Sequence, residues 1–262
     1  MKMAVAGIDI GSLTADVVIL RDGEIISDVI IPTGSNSRAA ADRALEAALE
    51  QASLKMEDLD YIVATGYGRA NVSRAHKCVT EITCHGRGAH YLDPSVRTVI
   101  DIGGQDSKVI RLNERGEVQD FAMNDKCAAG TGRFLEVMAH ALEVDLSEMA
   151  SISERASRSA PISSMCTVFA ESEVVSLIAQ GVPREEIISG LHEAIAGRTA
   201  GMVFRVGLEK EVMMTGGVAK NRGVVKSLEK KLQCKIIVPP EPQIIGALGA
   251  ALLAREELER SR

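Results

Sequence analysis

Short runs of Val, Ile and Ala between glycine turns open the chain and predict buried strands. An alanine-rich stretch follows at 37–52, where apolar residues at helical spacing predict a helix, and a further strand is predicted at 60–64. The order of elements is therefore three strands, a helix and a strand. The first three strands are predicted at 5–10, 16–20 and 24–31.

The same pattern starts again about ninety residues later. VAGIDIGSLTADVVIL (5–20) and RTVIDIGGQDSKVIRL (97–112) both consist of a hydrophobic strand, Asp-Ile-Gly, a turn and a second hydrophobic strand. We interpret the two stretches as copies of one β-β-β-α unit, which predicts two similar lobes that pack across a cleft. The strands of the second copy are predicted at 97–102, 107–112 and 117–123.

The remainder of the chain is predicted to be mostly helical, within an α/β fold of two lobes. Lobe I is expected at 1–95 and lobe II at 96–243, and a C-terminal helix within 244–262 is expected to return to lobe I. The further helices are predicted at 131–142, 166–180, 184–206, 219–232 and 244–259, and the further strands at 211–215 and 235–238.

In each copy an aspartate stands at the end of a buried strand, beside glycine: Asp9 in the first and Asp101 in the second. Glycine lets backbone N–H groups approach a bound anion, and the neighbouring carboxylate can hold Mg²⁺ or orient a water molecule. For a single copy a simple β-turn explains the pattern equally well. Two copies at equivalent positions favour a pair of loops that hold the phosphates of one nucleotide.

A third glycine pair, MTGGVAKN (214–221), follows a strand and precedes a helix. Its N–H groups would meet a ribose or phosphate, although a close-packing turn explains it as well. The chain contains no Walker A loop, because CAAGTGR (127–133) lacks the required Gly-Lys-Ser/Thr.

Composition and charge narrow the functional classes. Hydrophobic residues make up 46% of the 262 residues and charged residues 25%, as in an ordinary globular protein. The net charge of −6 argues against nucleic acid as a partner. Neither a signal peptide nor a membrane span is recognisable, so a cytoplasmic location without membrane contact is expected. In that compartment the five cysteines are not expected to form disulfides.

Two of the cysteines precede stretches predicted to be helical. Cys127 stands before AAGTG, and Cys166 stands before TVFAESEVVSLIAQ. Both are expected at helix N-termini, where the helix dipole stabilises the thiolate that a metal ligand requires. The alternative is that each is a small buried hydrophobic residue, as most isolated cysteines are.

The order DIG, DIGG, TGG and finally GALGAALL (246–253) resembles the superfamily of actin, sugar kinases and heat-shock-seventy ATPases. The resemblance implies a two-lobed actin-like fold with duplicated RNase H-like sheets. It also implies that the first two motifs are phosphate loops and that the third contacts adenosine. ATP or ADP would then bind with Mg²⁺ near Asp9 and Asp101.

A more specific resemblance runs from end to end of the chain. MNDKCAAGTGRFLEVMA, SSMCTVFAESEV, TGYGR, EITCH, DIGGQDSKVI and MTGGVAKN are similar to segments of the activator proteins of 2-hydroxyacyl-CoA dehydratases. This resemblance implies an ATP-hydrolysing homodimer that shares one [4Fe–4S] cluster, held by Cys127 and Cys166 of each subunit. Cys78, Cys84 and Cys234 are then assigned to packing. The chain departs from the family at Asp16, where a lysine is common, so the first loop lacks a positive contact with phosphate that the family pattern implies.

The resulting hypothesis is an ATPase coupled to one-electron transfer. Reduced ferredoxin or flavodoxin would donate the electron, and an iron–sulfur enzyme would accept it: a dehydratase, a benzoyl-CoA reductase or a double-cubane cluster protein. A small-molecule kinase of the same fold and a nucleotide sensor without turnover are the other classes considered. Asp9, Asp101 and Gln105 are the catalytic candidates. The residues expected to contact nucleotide are Gly11, Ser12, Leu13, Thr14, Gly103, Gly104, Gln105, Gly216, Gly217 and Val218.

Overall fold

Two five-stranded sheets of the same design form the framework of the protein. The computed structural model describes residues 3–163 and 166–260. In each sheet three consecutive antiparallel strands are extended by two strands that run parallel to the first. The spatial orders are β3-β2-β1-β4-β5 and β10-β9-β6-β7-β8. This confirms the predicted repeat. The strands are β1 (Ala4–Ile10), β2 (Thr14–Arg21), β3 (Glu24–Pro32), β4 (Tyr61–Thr65), β5 (Lys77–Cys78), β6 (Thr98–Ile102), β7 (Ser107–Leu112), β8 (Val118–Asn124), β9 (Val212–Thr215) and β10 (Ile236–Ile237).

Helices cover the sheets and join them. The predicted helix at 37–52 is α1, which Asn36 caps by accepting a hydrogen bond from the backbone N–H of Ala39. The predicted helix at 184–206 has the observed bounds of α6. The α-helices are α1 (Ser37–Gln51), α2 (Glu81–Leu92), α3 (Gly132–Leu142), α4 (Met149–Ser153), α5 (Thr167–Ala179), α6 (Arg184–Val206), α7 (Arg222–Leu232) and α8 (Ile245–Arg260).

Helix α2 is absent from the sequence-based prediction. Its centre contains Gly86 and Gly88, which lower intrinsic helix propensity by about 1 kcal/mol each relative to alanine. The glycines are there for packing, because α2 crosses α8 with its backbone almost in contact. A methyl group on Gly249 of α8 would overlap the carbonyl oxygen of Cys84. Tertiary packing therefore overrides propensity in this segment.

Three apolar clusters form the core. One lies between the first sheet and α1, and another lies between the second sheet and helices α3, α6 and α7. The third surrounds α8 and α2 and includes Val5 of β1 and Val99 of β6, so it joins the two sheets. Helix α8 packs closely on β1 and β4. The predicted domain limits at 95/96 and 243/244 stay a prediction.

The described helices include none that would cross a bilayer, since none within 3–163 and 166–260 is both long and apolar enough.

Candidate nucleotide site and cysteine loops

A cavity of about 810 Å³ lies where the two sheets face each other, within the size range of small-molecule sites. The predicted residues of all three glycine motifs line it, with one exception. Gln105 is exposed on the second turn and is not among the lining residues. The predicted residues that do line the cavity are Asp9, Gly11, Ser12, Leu13, Thr14, Asp101, Gly103, Gly104, Gly216, Gly217 and Val218.

The first two motifs form turns of the same geometry. In the first, Gly11 N donates to Thr14 O over 2.8 Å, and in the second, Gly103 N donates to Asp106 O over 3.0 Å. The turns also touch across the cavity, where a methyl group on Gly104 would overlap the side chain of Leu13. Small residues at these turns let the two loops approach one ligand from both lobes.

A second repeated motif, Thr-Gly, lies beside each aspartate on the neighbouring parallel strand. Thr65 at the end of β4 is in register with Asp9, and Thr215 at the end of β9 is in register with Asp101. The glycine that follows each threonine has a positive φ, +81° at Gly66 and +82° at Gly216, and a side chain on either would overlap the adjacent strand end. The sequence analysis missed this second pair, although VATGYG and MMTGGV carry it.

The two lobes differ in the residue opposite each aspartate. In lobe II, Asp101 is paired across the strands with Lys108, whose Nζ lies 3.1 Å from Asp101 Oδ2 and also bonds Asp106. Burial raises the pKa of Asp101, but His85 and Lys108 outweigh this effect and hold it below its ordinary value. The carboxylate charges of Asp101 and Asp106 raise the pKa of Lys108 despite its burial. Lobe II therefore has an ion cluster in which one ammonium group offsets part of the charge of two carboxylates.

In lobe I the residue opposite Asp9 is Asp16, so two buried carboxylates face each other. Thr14 Oγ1 donates to Asp16 Oδ2 over 3.1 Å. Asp16 Oδ1 is buried and has no hydrogen-bond partner among the residues that the structure describes. Burial raises the pKa of Asp9 to about 6, and it raises the pKa of Asp16 well above the ordinary value. Among the described residues no ammonium group pairs with Asp9 or Asp16, and the side chain within ion-pair distance of Asp9 is His85.

His85 of α2 lies between the two lobes' aspartates. Its Nε2 is 3.9 Å from Asp9 Oδ2, and its Nδ1 is 3.6 Å from Asp101 Oδ1. Thr215 Oγ1 lies 3.2 Å from His85 Nδ1 and donates to Asp101 Oδ1 over 2.9 Å. Sequence reasoning assigned no role to His85, because nothing in EITCH reveals that α2 points into the cleft.

Glu81 also reaches the cavity, from the first turn of α2. Its carboxylate pairs with Arg69 of the TGYGR segment over 3.2 Å. Tyr67 of the same segment lines the cavity, and burial raises its pKa to about 12, with Asp106 adding to the increase. Both TGYGR and EITCH are therefore cavity segments, a placement that only the fold reveals.

The far end of the cavity is built from lobe II alone. Gly216 N donates to Pro242 O over 2.8 Å, which fixes the third glycine loop against the start of the last segment. Asn221 caps α7, and its Nδ2 is 3.2 Å from Nε2 of the buried His192. The remaining residues at this end are Leu135, Glu136, Asp145, Leu146, Ser147, Ala150, Lys220 and Gln243.

The second Asp-Ile-Gly turn is joined directly to the helix that follows Cys127. Gly132 N donates to Gly103 O over 2.9 Å, and Arg133 N donates to Gly104 O over 2.8 Å. The first N–H groups of α3, which have no partner within the helix, thus donate to the carbonyl oxygens of this turn. A movement of that turn must therefore move the start of α3 or break these bonds.

The structure corrects the placement of Cys127. Helix α3 begins at Gly132 with Thr131 as its N-cap, so the prediction that Cys127 lies at a helix N-terminus is wrong. It lies in the preceding loop, half-buried, where Asn124 Nδ2 donates to its carbonyl oxygen over 2.8 Å. Glycine and alanine in this loop allow a tight turn, with Gly130 at a φ of +85°. Cys166 is the N-cap residue of α5, as predicted, and is exposed.

The other cysteines divide between core and surface. Cys84 is buried between α2 and α8, and burial raises the pKa of its thiol to about 12. Cys78 is exposed, so its assignment to packing is wrong. Among residues 3–163 and 166–260, no three His, Cys, Asp or Glu side chains are grouped as a metal site.

An exposed apolar surface begins beside Cys166. Val168 and Phe169 in the first turn of α5 are each 67% exposed, and Val175 and Ile178 continue along the helix. Large apolar side chains in such a group are typical of a surface that another protein covers.

Comparison with known proteins places the chain in a family. Residues 6–254 match the BadF/BadG/BcrA/BcrD ATPase family. The activator of lactoyl-CoA dehydratase from Anaerotignum propionicum is 54% identical over 98% of this chain and 100% of that protein. Among solved structures, component A of the (R)-2-hydroxyglutaryl-CoA dehydratase of Acidaminococcus fermentans has a TM-score of 0.95 and 46% identity, covering 98% of this chain and 99% of that chain.

A second solved structure contains a nucleotide. The activator of the 2-hydroxyisocaproyl-CoA dehydratase from Clostridium difficile, with bound ADPNP, has a TM-score of 0.94 and 46% identity, covering 99% of this chain and 97% of that chain. A ROK family glucokinase from Streptomyces griseus has a TM-score of 0.60 at 14% identity, covering 97% of this chain and 99% of that chain, so the likeness concerns the fold alone. Together these neighbours confirm the predicted two-lobed actin-like fold.

Proposed function

The chain belongs to the BadF/BadG/BcrA/BcrD ATPase family, and from this we propose that it is an ATP-hydrolysing activator of a 2-hydroxyacyl-CoA dehydratase. It would work as a homodimer in the cytoplasm and pass one electron at a time to that enzyme. The observation that carries the proposal is the direct bonding of the second phosphate loop to α3, the helix that follows the loop of Cys127. Backbone hydrogen bonds thus connect the proposed nucleotide site to the loop that carries Cys127, a candidate ligand of the cluster.

The nucleotide would bind with its phosphates between the two Asp-Ile-Gly turns and its nucleoside toward Val218. Backbone N–H groups of the turns would donate to the phosphate oxygens. Asp9 and Asp101 would hold Mg²⁺, directly or through water, and orient the attacking water. Lys108 would keep Asp101 ionised, as its 3.1 Å contact indicates.

Cys127 and Cys166 are the proposed ligands of a [4Fe–4S] cluster, two from each subunit. Their surroundings fit such a group: both thiols are free, one is half-buried and one exposed, and Ala128, Ala129 and Gly130 leave room beside Cys127. When bound, the cluster supplies the one-electron chemistry that side chains lack. The chain's own part is to hold the two thiolates and to couple their position to the nucleotide.

Coupling would follow from the bonds between Gly103 and Gly132 and between Gly104 and Arg133. Loss of the γ-phosphate would let the second turn shift, and the start of α3 would shift with it. The turn at Ala128–Thr131, in which Thr131 Oγ1 donates to Ala128 O over 2.6 Å, would carry that movement to Cys127. ATP binding and hydrolysis would thereby change how the dimer fits its acceptor, which makes electron transfer one-way.

The exposed Val168 and Phe169 beside Cys166 support contact with a second copy at this surface. A reduced ferredoxin or flavodoxin is the proposed electron donor. The proposed acceptor is an iron–sulfur dehydratase, because the dehydratase activators named above are 46% and 54% identical to this chain.

Iron analysis of anaerobically purified protein tests this proposal. We expect about four iron atoms per dimer. Cys127→Ser and Cys166→Ser should each lose the iron and the transfer of electrons to a dehydratase, while Cys78→Ser, an equally conservative change at an exposed thiol, should retain both. Full iron content in the Cys166→Ser protein would overturn the assignment.

A further inference from the structure

The internal repeat shows where lobe I lacks a positive charge. Asp9 and Asp101 occupy equivalent places in β1 and β6, and the residues opposite them in the antiparallel partner strands are Asp16 and Lys108. In lobe II the ammonium group of Lys108 lies against Asp101. In lobe I the equivalent position carries a second carboxylate instead of an ammonium group.

Directly opposed side chains of an antiparallel pair have Cβ atoms about 5 Å apart, so two like charges there repel each other. Asp9 and Asp16 are 8% and 5% exposed, which removes most of the water that would screen this repulsion. Both line the cavity. Asp16 Oδ2 accepts a hydrogen bond from Thr14, whereas the buried Oδ1 has no partner among the described residues. The pair is therefore built like an incomplete cation site.

We propose that Asp9 and Asp16 together bind one divalent metal ion, Mg²⁺ in the cell, at the position that the ammonium group of Lys108 occupies in lobe II. The inference rests on the nucleotide site proposed above and adds Asp16 to the metal ligands. Two carboxylates with water in the other positions are a common environment for Mg²⁺. Because Asp9 and Asp16 come from one β-hairpin of lobe I, these two ligands are in place before the nucleotide binds.

The site also gives the metal a role toward the ligand. Two uncompensated carboxylates beside the first phosphate loop would repel a polyphosphate. A divalent ion held between them cancels that charge and presents open coordination positions to phosphate oxygens. Nucleotide affinity should accordingly depend on the metal.

Equilibrium dialysis of nucleotide-free protein, freed of divalent ions by anaerobic gel filtration with its iron retained, against Mn²⁺ tests the proposal, since Mn²⁺ accepts the same oxygen ligands. We expect one Mn²⁺ per chain, displaced by excess Mg²⁺. Asp16→Asn should weaken binding at least about tenfold, the loss typical of removing a ligand or its support. Asp16→Lys, which copies the arrangement of lobe II, should abolish binding and leave the thermal unfolding midpoint unchanged or higher.

Asp106→Asn is the matched control, because it removes a cavity carboxylate that already bonds Lys108. It should bind Mn²⁺ as the wild type does. The proposal is overturned if the wild type binds no Mn²⁺, if Asp16→Asn binds it equally well, or if Asp106→Asn loses as much as Asp16→Asn. ADP titrations of the same proteins test the nucleotide site separately from the metal site. If ADP binds neither with nor without metal, the proposed nucleotide site is rejected, whatever the dialysis shows.

Discussion

The backbone N–H of Gly132 donates a hydrogen bond to the carbonyl oxygen of Gly103 over 2.9 Å. This bond joins the turn after β6 to the first residue of α3, five positions after Cys127. Because the bond joins two backbone atoms, a change of side-chain rotamer cannot lengthen it. The connection makes the strand end and the cysteine loop one mechanical unit.

Widening this contact should uncouple the cysteine loop from the nucleotide. A methyl group at position 132 would lie 3.3 Å from Gly103 O, which a small shift relieves, whereas the branched side chain of Gly132→Val cannot fit. We expect Gly132→Ala to behave nearly as the wild type. Gly132→Val should keep its iron but lose the difference between the ADP and ATP-analogue forms in the EPR spectrum of the reduced protein. An unchanged nucleotide-dependent difference in Gly132→Val would contradict the coupling.

Removing the charge of Lys108 should destabilise the protein strongly. Lys108→Met leaves Asp101 and Asp106 buried without their cation, and breaking a buried ion pair in this way costs about 3–5 kcal/mol. Urea unfolding of nucleotide-free protein measures the loss, which should be smaller at pH 5 than at pH 7 because the carboxylates can then be protonated.

The exposed pair of Lys226 and Glu154 provides the control. Lys226→Met should change the free energy of unfolding little, since water already solvates both groups. Adding Asp106→Asn to Lys108→Met should recover part of the loss. Equal effects of Lys108→Met and Lys226→Met would contradict the assignment of a buried ion cluster.

Acid should lower the stability of the fold through the buried His192. Burial lowers the pKa of His192 to about 4, below the value of 6.5 for an exposed histidine. Between these two values the unfolded chain binds a proton that the folded chain does not, so stability falls as the pH drops from about 6.5 to 4. One buried histidine with this shift contributes about 3 kcal/mol at most.

Asp9 acts in the opposite direction over part of this range. Its pKa is raised from 3.8 to about 6, so the folded chain binds the extra proton and stability rises as the pH falls through 6. The effect of His192 is therefore measured as the difference between wild type and His192→Gln in urea unfolding from pH 7 to 4.5. This difference should shrink steadily with acid, and a constant difference would show that His192 does not titrate as described.

Subunit association should depend on the apolar start of α5. Phe169 is 67% exposed, and burying an aromatic side chain at an interface commonly contributes more than 1.4 kcal/mol. Phe169→Asp should therefore weaken dimerisation by at least about tenfold in sedimentation velocity experiments. Ile25→Asp, at an exposed apolar position on β3, should leave the dimer intact. A monomeric wild type, or a dimer unaffected by Phe169→Asp, would contradict the proposed interface.

The pattern of residues by itself determined the repeated unit. Alternating turns and apolar runs predicted both sets of three strands. The signal is clearest for β1, β2, β6 and β7, which are buried over nearly their whole length and are therefore rich in apolar residues. The two Asp-Ile-Gly turns and the TGG loop were identified for the same local reason: glycine in a tight turn after a strand is visible in the sequence. Gln105 does not line the cavity, because its neighbours fix a turn but not the direction in which an exposed tip points, and its catalytic role stays a prediction.

The tertiary structure alone decided which residues face each other. Helix α2 exists because Gly88 and Gly249 let two helices pack nearly backbone to backbone, although glycine disfavours a helix in isolation. His85 reaches both Asp9 and Asp101 only after that packing is made. The sequence marks Asp16 only as a departure from the family pattern, and strand register alone sets it opposite Asp9. Contacts between positions far apart in the chain depend on the assembled fold, and local sequence pattern does not encode them.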